Sequence, residues 1–343
     1  MSEGSLRLAL VGTGGFGSWF ASYLSEIGTV VAFSDPSSES RKRFVEVSGL
    51  DIPGYEHHEL LLDREDVDAV VICGPNDTHM EVTLAAASRG KHVFCEKAMA
   101  LSVSDCREMV SACDAAQVKL MVGHKRRLRP PWARVLDLKA EVGEATSVSV
   151  VSYFDSRPDN FSGWWTQRAR SGGVLMLAGI HEIDWMCALC GEVSSVSAVY
   201  GPQIDERYDF PDSIQVTLKF KSGAVGSLGV SLSYPLLKYR QVCGAEVVTR
   251  GGGVRLVTSF QEANIYWQKS NEQQVNHEVY SETSGDPVGA EFAIRKELKD
   301  FQLWVTTGAT PCLTWAEGLK CVQVIEAAYE SADTGGERIV LQD

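Results

Sequence analysis

The sequence predicts an α/β chain in two parts: a doubly wound parallel sheet, followed by an α+β domain with a large open, mostly antiparallel sheet. Three observations predict it. Strand-length apolar runs alternate with helical patterns between Leu6 and Val122, the order of a sheet covered by helices on both faces. A glycine loop stands between the first strand and the first helix. Beyond Gly123, strand-like runs follow one another across tight turns, the order of antiparallel strands.

Leu6 to Val11 forms the first strand, followed by Gly12-Thr13-Gly14-Gly15-Phe16-Gly17 and a helical pattern from Ser18 to Ile27. This is G-x-G-x-x-G in a strand-turn-helix setting. Gly12 permits the tight turn, Gly14 lets backbone approach a pyrophosphate, and Gly17 lets the helix pack on the strand. Free amides at the helix start suit that anion. A second strand over Val30 to Ser34 ends in Asp35, about twenty residues on, where a ribose hydroxyl is expected. A Rossmann-type dinucleotide site follows. Asp35 favours NAD over NADP, because a carboxylate accepts from an unmodified ribose and repels a 2′-phosphate. Arg41, Lys42 and Arg43 could grip such a phosphate but read as a solvated helix face.

Ala69 to Cys73, a helix over Asp77 to Ser88, a strand over Lys91 to Cys95, a helix over Ser102 to Ala116 and a strand over Val118 to Val122 continue the pattern. The Lys91 to Cys95 strand delivers Glu96 and Lys97 to its carboxyl end, where such sheets hold ligands. Arg126-Arg127-Leu128-Arg129-Pro130-Pro131 then breaks the alternation. The domains are therefore placed at 1–123, for the dinucleotide, and 124–343, for substrate and oligomerisation, with the last helix and tail able to pack back on the first. The second part begins with a short helix over Trp132 to Lys139. Strands are expected at Thr146 to Phe154, Val193 to Tyr200, Ser213 to Phe220, Ala224 to Leu232 and Arg240 to Thr249, and helices near Glu291 to Thr306 and Trp315 to Ser331.

Composition fits two soluble cores: 343 residues, of which 44% are apolar and 22% charged. A net charge of −13 argues against nucleic acid and anionic membranes as partners. Nine scattered cysteines read as reduced thiols of a cytoplasmic protein. Cys187-Ala188-Leu189-Cys190 has no second pair, so a buried helical pair is expected there and no metal site. Met1 to Leu8 lacks the pattern of a secretory signal. Val174 to Cys190 is interrupted by His181, Glu182 and Asp184, which suits a buried helix better than a membrane span.

On that helix Leu177, His181, Asp184 and Trp185 fall along one face. With this set in view, the chain resembles the glucose-fructose oxidoreductase and inositol dehydrogenase (Gfo/Idh/MocA) family along nearly its whole length. The resemblance is carried by Gly74-Pro75-Asn76-Asp77-Thr78-His79, by Ala85 to Val93, by Cys95-Glu96-Lys97, by Gly123-His124 with Arg127 and Pro130, by Gly179-Ile180-His181-Glu182-Ile183-Asp184, and by Glu326 to Ala332.

The resemblance implies hydride exchange between a nicotinamide and a carbon bearing a hydroxyl, on a small sugar, cyclitol or related polyol. It implies that Gly12, Gly14, Gly15, Phe16, Gly17, Asp35, Asn76, His79, Glu96 and Lys97 hold the cofactor, and that Lys97 and His181 are catalytic. An alcohol must lose a proton as hydride leaves, and imidazole titrates near working pH. A lysine ammonium stabilises developing alkoxide charge. Arg127, Tyr153, Asp155, Trp165, Arg168, Asp184 and Tyr234 are the residues expected at the substrate, and a homodimer or homotetramer through the second sheet is implied. Two departures stand out. Leu177 replaces the aspartate usual four residues before the histidine, and Ala98 replaces the proline usual after Glu-Lys, so that a trans Lys97–Ala98 bond is expected. The alternatives are a lyase or glycosidase that oxidises its substrate transiently through NAD, and an NAD-binding relative with weak catalysis.

Overall fold

The computed structural model describes residues 6–156, 163–234, 241–259, 262–281 and 288–342. The chain forms two compact units: Met1–His124 with Ile294–Leu319, and Lys125–Ala293 with Lys320–Asp343.

In the first unit, β1 (Leu6–Val11), α1 (Gly15–Leu24), β2 (Gly28–Ser34), α2 (Ser38–Ser48), β3 (Gly54–Tyr55), α3 (His58–Leu62), β4 (Ala69–Ile72), α4 (His79–Ala87), β5 (His92–Glu96), α5 (Val103–Ala115) and β6 (Leu120–Gly123) alternate. The six strands run parallel in the order β3-β2-β1-β4-β5-β6, so the order reverses between β1 and β4. Ligands of such sheets bind at that switch point, at the carboxyl ends of the strands. The central strands are apolar, with β4 and the first three residues of β6 fully or almost fully buried, as a sheet covered on both faces requires. Helix α1 begins at Gly15, three residues before the expected Ser18, because the glycine loop itself turns into the helix: Ser18 N donates to Gly14 O at 2.9 Å. Strand β3 and helix α3 were not expected, and at two and five residues they are too short to show a period.

The second unit contains α6 (Pro130–Val142), β7 (Ala145–Phe154), α7 (Arg168–Ser171), α8 (Ile180–Cys190), β8 (Val193–Tyr200), β9 (Ser213–Phe220), β10 (Val225–Ser231), β11 (Gln241–Thr249), β12 (Gly252–Thr258), β13 (Glu262–Lys269) and β14 (Asn276–Ser281). Two helices follow in the chain, α9 (Ala290–Thr307) and α10 (Trp315–Asp333), and then β15 (Ile339–Val340). Nine strands pair in the order β14-β13-β12-β11-β7-β10-β9-β8-β15, antiparallel except for β10 with β7. The expected fold class is therefore present in both halves. Alternation decides which face is covered: Ile214, Val216, Leu218 and Phe220 of β9 are buried, whereas Gln215, Thr217 and Lys219 are exposed. Arg240, expected to open a strand, lies outside the described residues. Strands β12 to β14 carry no expectation from sequence. None of the residues of β14 is buried, so it shows no apolar period.

Helix α8 is preceded by a π-helical turn over Leu175–Gly179, where an uninterrupted helix was expected. The stretch Arg168–Cys190 has the length and hydropathy of a membrane span, but 78% of its most apolar window is buried inside the protein. It packs on the sheet: a Cβ at Gly226 would meet the Met186 side chain at 2.6 Å, and one at Gly179 would meet Val230 at 3.1 Å. Cys187 and Cys190 lie along α8 as free thiols, each pushed up to about 12 chiefly by burial.

Candidate functional site

The glycine loop has the geometry its sequence implies. Gly12 has φ +90°, and a Cβ there would lie 2.6 Å from Gly74 N. A Cβ on Gly17 would lie 2.0 Å from Gly12 O. Both positions exclude a side chain because backbone approaches backbone. Gly14 and Gly15 differ: an added Cβ would meet nothing within 4 Å. They are exposed, and Gly14 caps α1 without a side-chain hydrogen bond. An open space in front of helix-start amides fits the pyrophosphate of a dinucleotide. Phe16 stands beside it, 40% exposed.

This contrast makes a prediction. Gly14→Ala should leave thermal unfolding within about 0.5 kcal/mol of the parent yet weaken NADH binding about tenfold or more, about 1.4 kcal/mol. Gly12→Ala should destabilise the fold itself by more than about 1 kcal/mol. Unchanged NADH titration in Gly14→Ala would remove the open space as the anion seat.

Asp35 directly follows Ser34, the last residue of β2, and its carboxylate has a second task. Oδ2 accepts from Thr13 N at 2.8 Å and Oδ1 from Ser37 N at 2.9 Å, so the acid ties the glycine loop to the start of α2. Each oxygen keeps a further acceptor site, and Asp35 is 9% exposed. The reading of Arg41 as part of a solvated face is corrected. Its Nη1 donates to Asp35 O at 2.6 Å and to Pro36 O at 3.2 Å, folding the guanidinium over the exit of β2, whereas Lys42 and Arg43 are exposed. A guanidinium within reach of two backbone carbonyls is drawn to them, which helical spacing does not reveal.

Glu96 is the buried last residue of β5, 4% exposed, and Lys97 follows it half-buried, its amide 3.3 Å from Glu96 Oε2. The expected trans bond after Lys97 is wrong: Lys97–Ala98 is cis. That expectation weighed only the local amide preference. Ala98 and Met99 are fully buried, and Ala98 O faces His79 at 2.7 Å, so tertiary surroundings govern the segment. Asn76 lies buried in a 3-10 turn ahead of α4. His79 is fully buried with both ring nitrogens against backbone carbonyls.

In the second unit His181 is half-buried near the start of α8, and the turn before it presents Leu175, Met176 and Leu177, all buried and apolar. No carboxylate underlies His181 on that turn. Two ion pairs hold this helix to the chain entering the unit. Arg127 donates through Nε to Asp184 Oδ2 at 2.8 Å and through Nη2 to Oδ1. The adjacent Arg126 pairs with Glu182 at 3.2 Å, both side chains buried, with Cys243 Sγ 3.8 Å from the same carboxylate oxygen. Arg127 and Asp184, both expected at the substrate, are thus engaged with each other. The Arg126–Glu182 pair had no signal in the sequence, since two arginines before a proline pair look like any polar loop.

Of the other expected substrate residues, Tyr153, Asp155 and Tyr234 lie together, where the end of β7 meets the chain after β10. Tyr153 projects from the sheet face opposite α8: its hydroxyl lies where a Cβ on Gly229 would be 2.9 Å away, and it packs against Tyr234 at 5.3 Å. Asp155 is buried and bridges Ser233. Trp165 packs against Trp164 with ring centroids 5.5 Å apart and the planes tilted by 52°. Arg168 lies 4.7 Å over the Tyr329 ring and 3.4 Å from Tyr200 Oη, which joins α7 to α10 and β8.

A glycine loop at the switch point of a parallel sheet, with an acid at the end of the next strand, defines a dinucleotide-binding protein of the Rossmann class. Residues 6–124 match the model of an oxidoreductase family with an NAD-binding Rossmann fold, and residues 135–253 match the C-terminal domain of the same family. The chain belongs to the Gfo/Idh/MocA family and is an NAD(P)-dependent oxidoreductase. It is 25% identical over 334 residues to the rhizopine catabolism protein MocA of Rhizobium meliloti, covering 94% of each chain. It is 29% identical over 290 residues to D-xylose 1-dehydrogenase (NADP(+)) 2 of Haloferax volcanii, covering 83% of this chain and 85% of that one. Among solved structures, an aldose-aldose oxidoreductase from Caulobacter crescentus, complexed with glycerol, superposes with a TM-score of 0.82 at 28% identity over 98% of this chain and 100% of that one.

Proposed function

We propose that the protein is an NAD-linked dehydrogenase interconverting a secondary alcohol and a ketone on a small sugar, cyclitol or related polyol. The observation that carries this reading is the placement of Lys97 directly after buried Glu96 at the carboxyl end of β5, in the same sheet as the glycine loop and Asp35. A bound nicotinamide dinucleotide supplies the hydride acceptor or donor. Gly14, Gly15 and the first amides of α1 hold its pyrophosphate, and Asp35 accepts from its ribose. Lys97 presents ammonium protons to the reacting oxygen and stabilises charge as it develops. In the oxidative direction His181 takes the proton of the substrate hydroxyl as hydride leaves its carbon, and in the other it returns that proton to the oxygen. Relatives named for D-xylose and aldose substrates support the substrate class.

Asp35 supports NAD over NADP, although one relative is named for NADP. The test is a panel of sugars, cyclitols and polyols, run in parallel with NAD and NADP and read both for reduced cofactor and for product identity. The expected result is ketone with equivalent NADH, faster with NAD. Bond cleavage without net NADH would favour the transient-oxidation alternative, and tight NADH binding with no product across the panel would favour a binding protein.

A further inference from the structure

The side chain of His79 opens α4 in complete burial, and its two edges meet two different loops. Nδ1 lies 2.7 Å from Ala98 O and Nε2 3.0 Å from Gly74 O. Carbonyl oxygens only accept, so the ring must donate toward both. A neutral imidazole donates to one of them, and imidazolium to both. Burial holds this histidine below its ordinary pKa, with the two carbonyls and Glu96 opposing that shift. A side chain needed only to fill space would not require nitrogen at both edges.

The two anchors sit at the neighbouring carboxyl ends of β4 and β5. Gly74 packs directly behind the glycine loop, its amide 2.6 Å from where a Cβ on Gly12 would be. Ala98 follows Lys97 immediately and is fully buried. The ring therefore bridges the backbone behind the glycine loop to the backbone that carries Lys97.

We propose that His79, which the resemblance places among the cofactor-holding residues, is instead a positioning residue: with both ring nitrogens on main-chain carbonyls, it tethers the segment after β5 to the loop after β4, and so sets the position of Lys97. The inference rests on the proposed role of Lys97. Any tether at this point acts through backbone, because both of its acceptors are main-chain carbonyls. Its loss should loosen residues 97–100 while leaving the open cradle at Gly14 and Gly15 in place.

The test uses the full chain loaded with NADH. His79→Ala, with His79→Gln as the milder variant that keeps one donor, is compared with the parent by amide hydrogen exchange and by competitive acetic anhydride labelling of lysines. The expected result is at least threefold faster exchange over 97–100, at least a threefold change in labelling of Lys97 alone, and an NADH dissociation constant changed less than threefold. Added imidazole should reverse part of the exchange in His79→Ala. A folded variant with parental exchange over 97–100 and parental Lys97 labelling overturns the proposal, as does a rise in exchange spread evenly over the first unit. Lys97→Ala, assayed in parallel for turnover, separates the two readings: full activity there removes the role of Lys97 and leaves the tether to be judged by exchange alone.

Discussion

Lys97→Ala is expected to lower turnover about 10²–10³-fold, the usual loss when one donor to a developing oxyanion is removed, with NADH affinity nearly unchanged. The sheet does not depend on this side chain. Lys97 lies just past the last residue of β5, half-buried, whereas the neighbouring core is closed by Phe94, Cys95, Ala98 and Met99. The substitution therefore removes an ammonium without opening the core. Lys97→Met, which keeps the aliphatic stem, should lose as much activity as the alanine variant if the charge is what matters. Lys97→Arg should recover little, because a planar fork does not place one proton where a tetrahedral ammonium does. Steady-state rates with the best alcohol from the panel, beside NADH titration and thermal unfolding, give the answer. Parental turnover in Lys97→Ala would take the lysine out of the mechanism, and a matching loss of NADH affinity would make it a cofactor ligand only.

Arg126→Ala should destabilise the second unit by about 3–5 kcal/mol, since it strands the Glu182 carboxylate in the interior. Arg126 and Glu182 are buried to 8% and 0% side-chain exposure and stand 3.2 Å apart. The second carboxylate oxygen, Oε2, has no hydrogen-bond partner among the described residues, so the pair is the main compensation for that charge. In a unit of this size each kcal/mol moves the melting temperature by about 2–4 °C, which places the fall on the order of ten degrees. The paired variant Arg126→Met with Glu182→Leu should restore most of it, because a buried ion pair replaced by apolar groups of similar volume is often neutral. Thermal unfolding of the two variants decides the matter. A shift of a degree or less in Arg126→Ala would show that the carboxylate is satisfied in another way. Because Glu182 adjoins His181 on α8, this pair and Arg127–Asp184 also fix the helix that carries the histidine.

Asp35 was legible from its distance to the glycine loop, since the ribose position is set by one βαβ unit of chain. Its bonds to Thr13 and Ser37 lie inside that same short unit. Arg127 and Asp184, 57 positions apart, were each legible as polar residues near a motif but not as partners. Tyr153 was legible as sharing a strand face with Asp155. Which face looks toward α8 depended on the packing of Met186, Val148 and Val230, residues with no distinguishing mark in the sequence. The exposed strand β14 was invisible for a related reason: without burial there is no alternation to read.

The sequence by itself determined the features whose physics is local: the glycine turn, the acid at the end of β2, the buried strands of the first unit, and Glu96-Lys97 at a strand end. Steric demands on φ, helix-start amides and apolar periodicity act over a few residues, so the residue order records them. The tertiary structure decided the cis bond after Lys97, the fold of Arg41 over β2, the pairing of Arg126 and Arg127 with α8, and the two carbonyls held by His79. Each of these depends on which groups meet when distant segments are packed and desolvated, and a buried charge or ring nitrogen takes whatever partner that packing brings within reach.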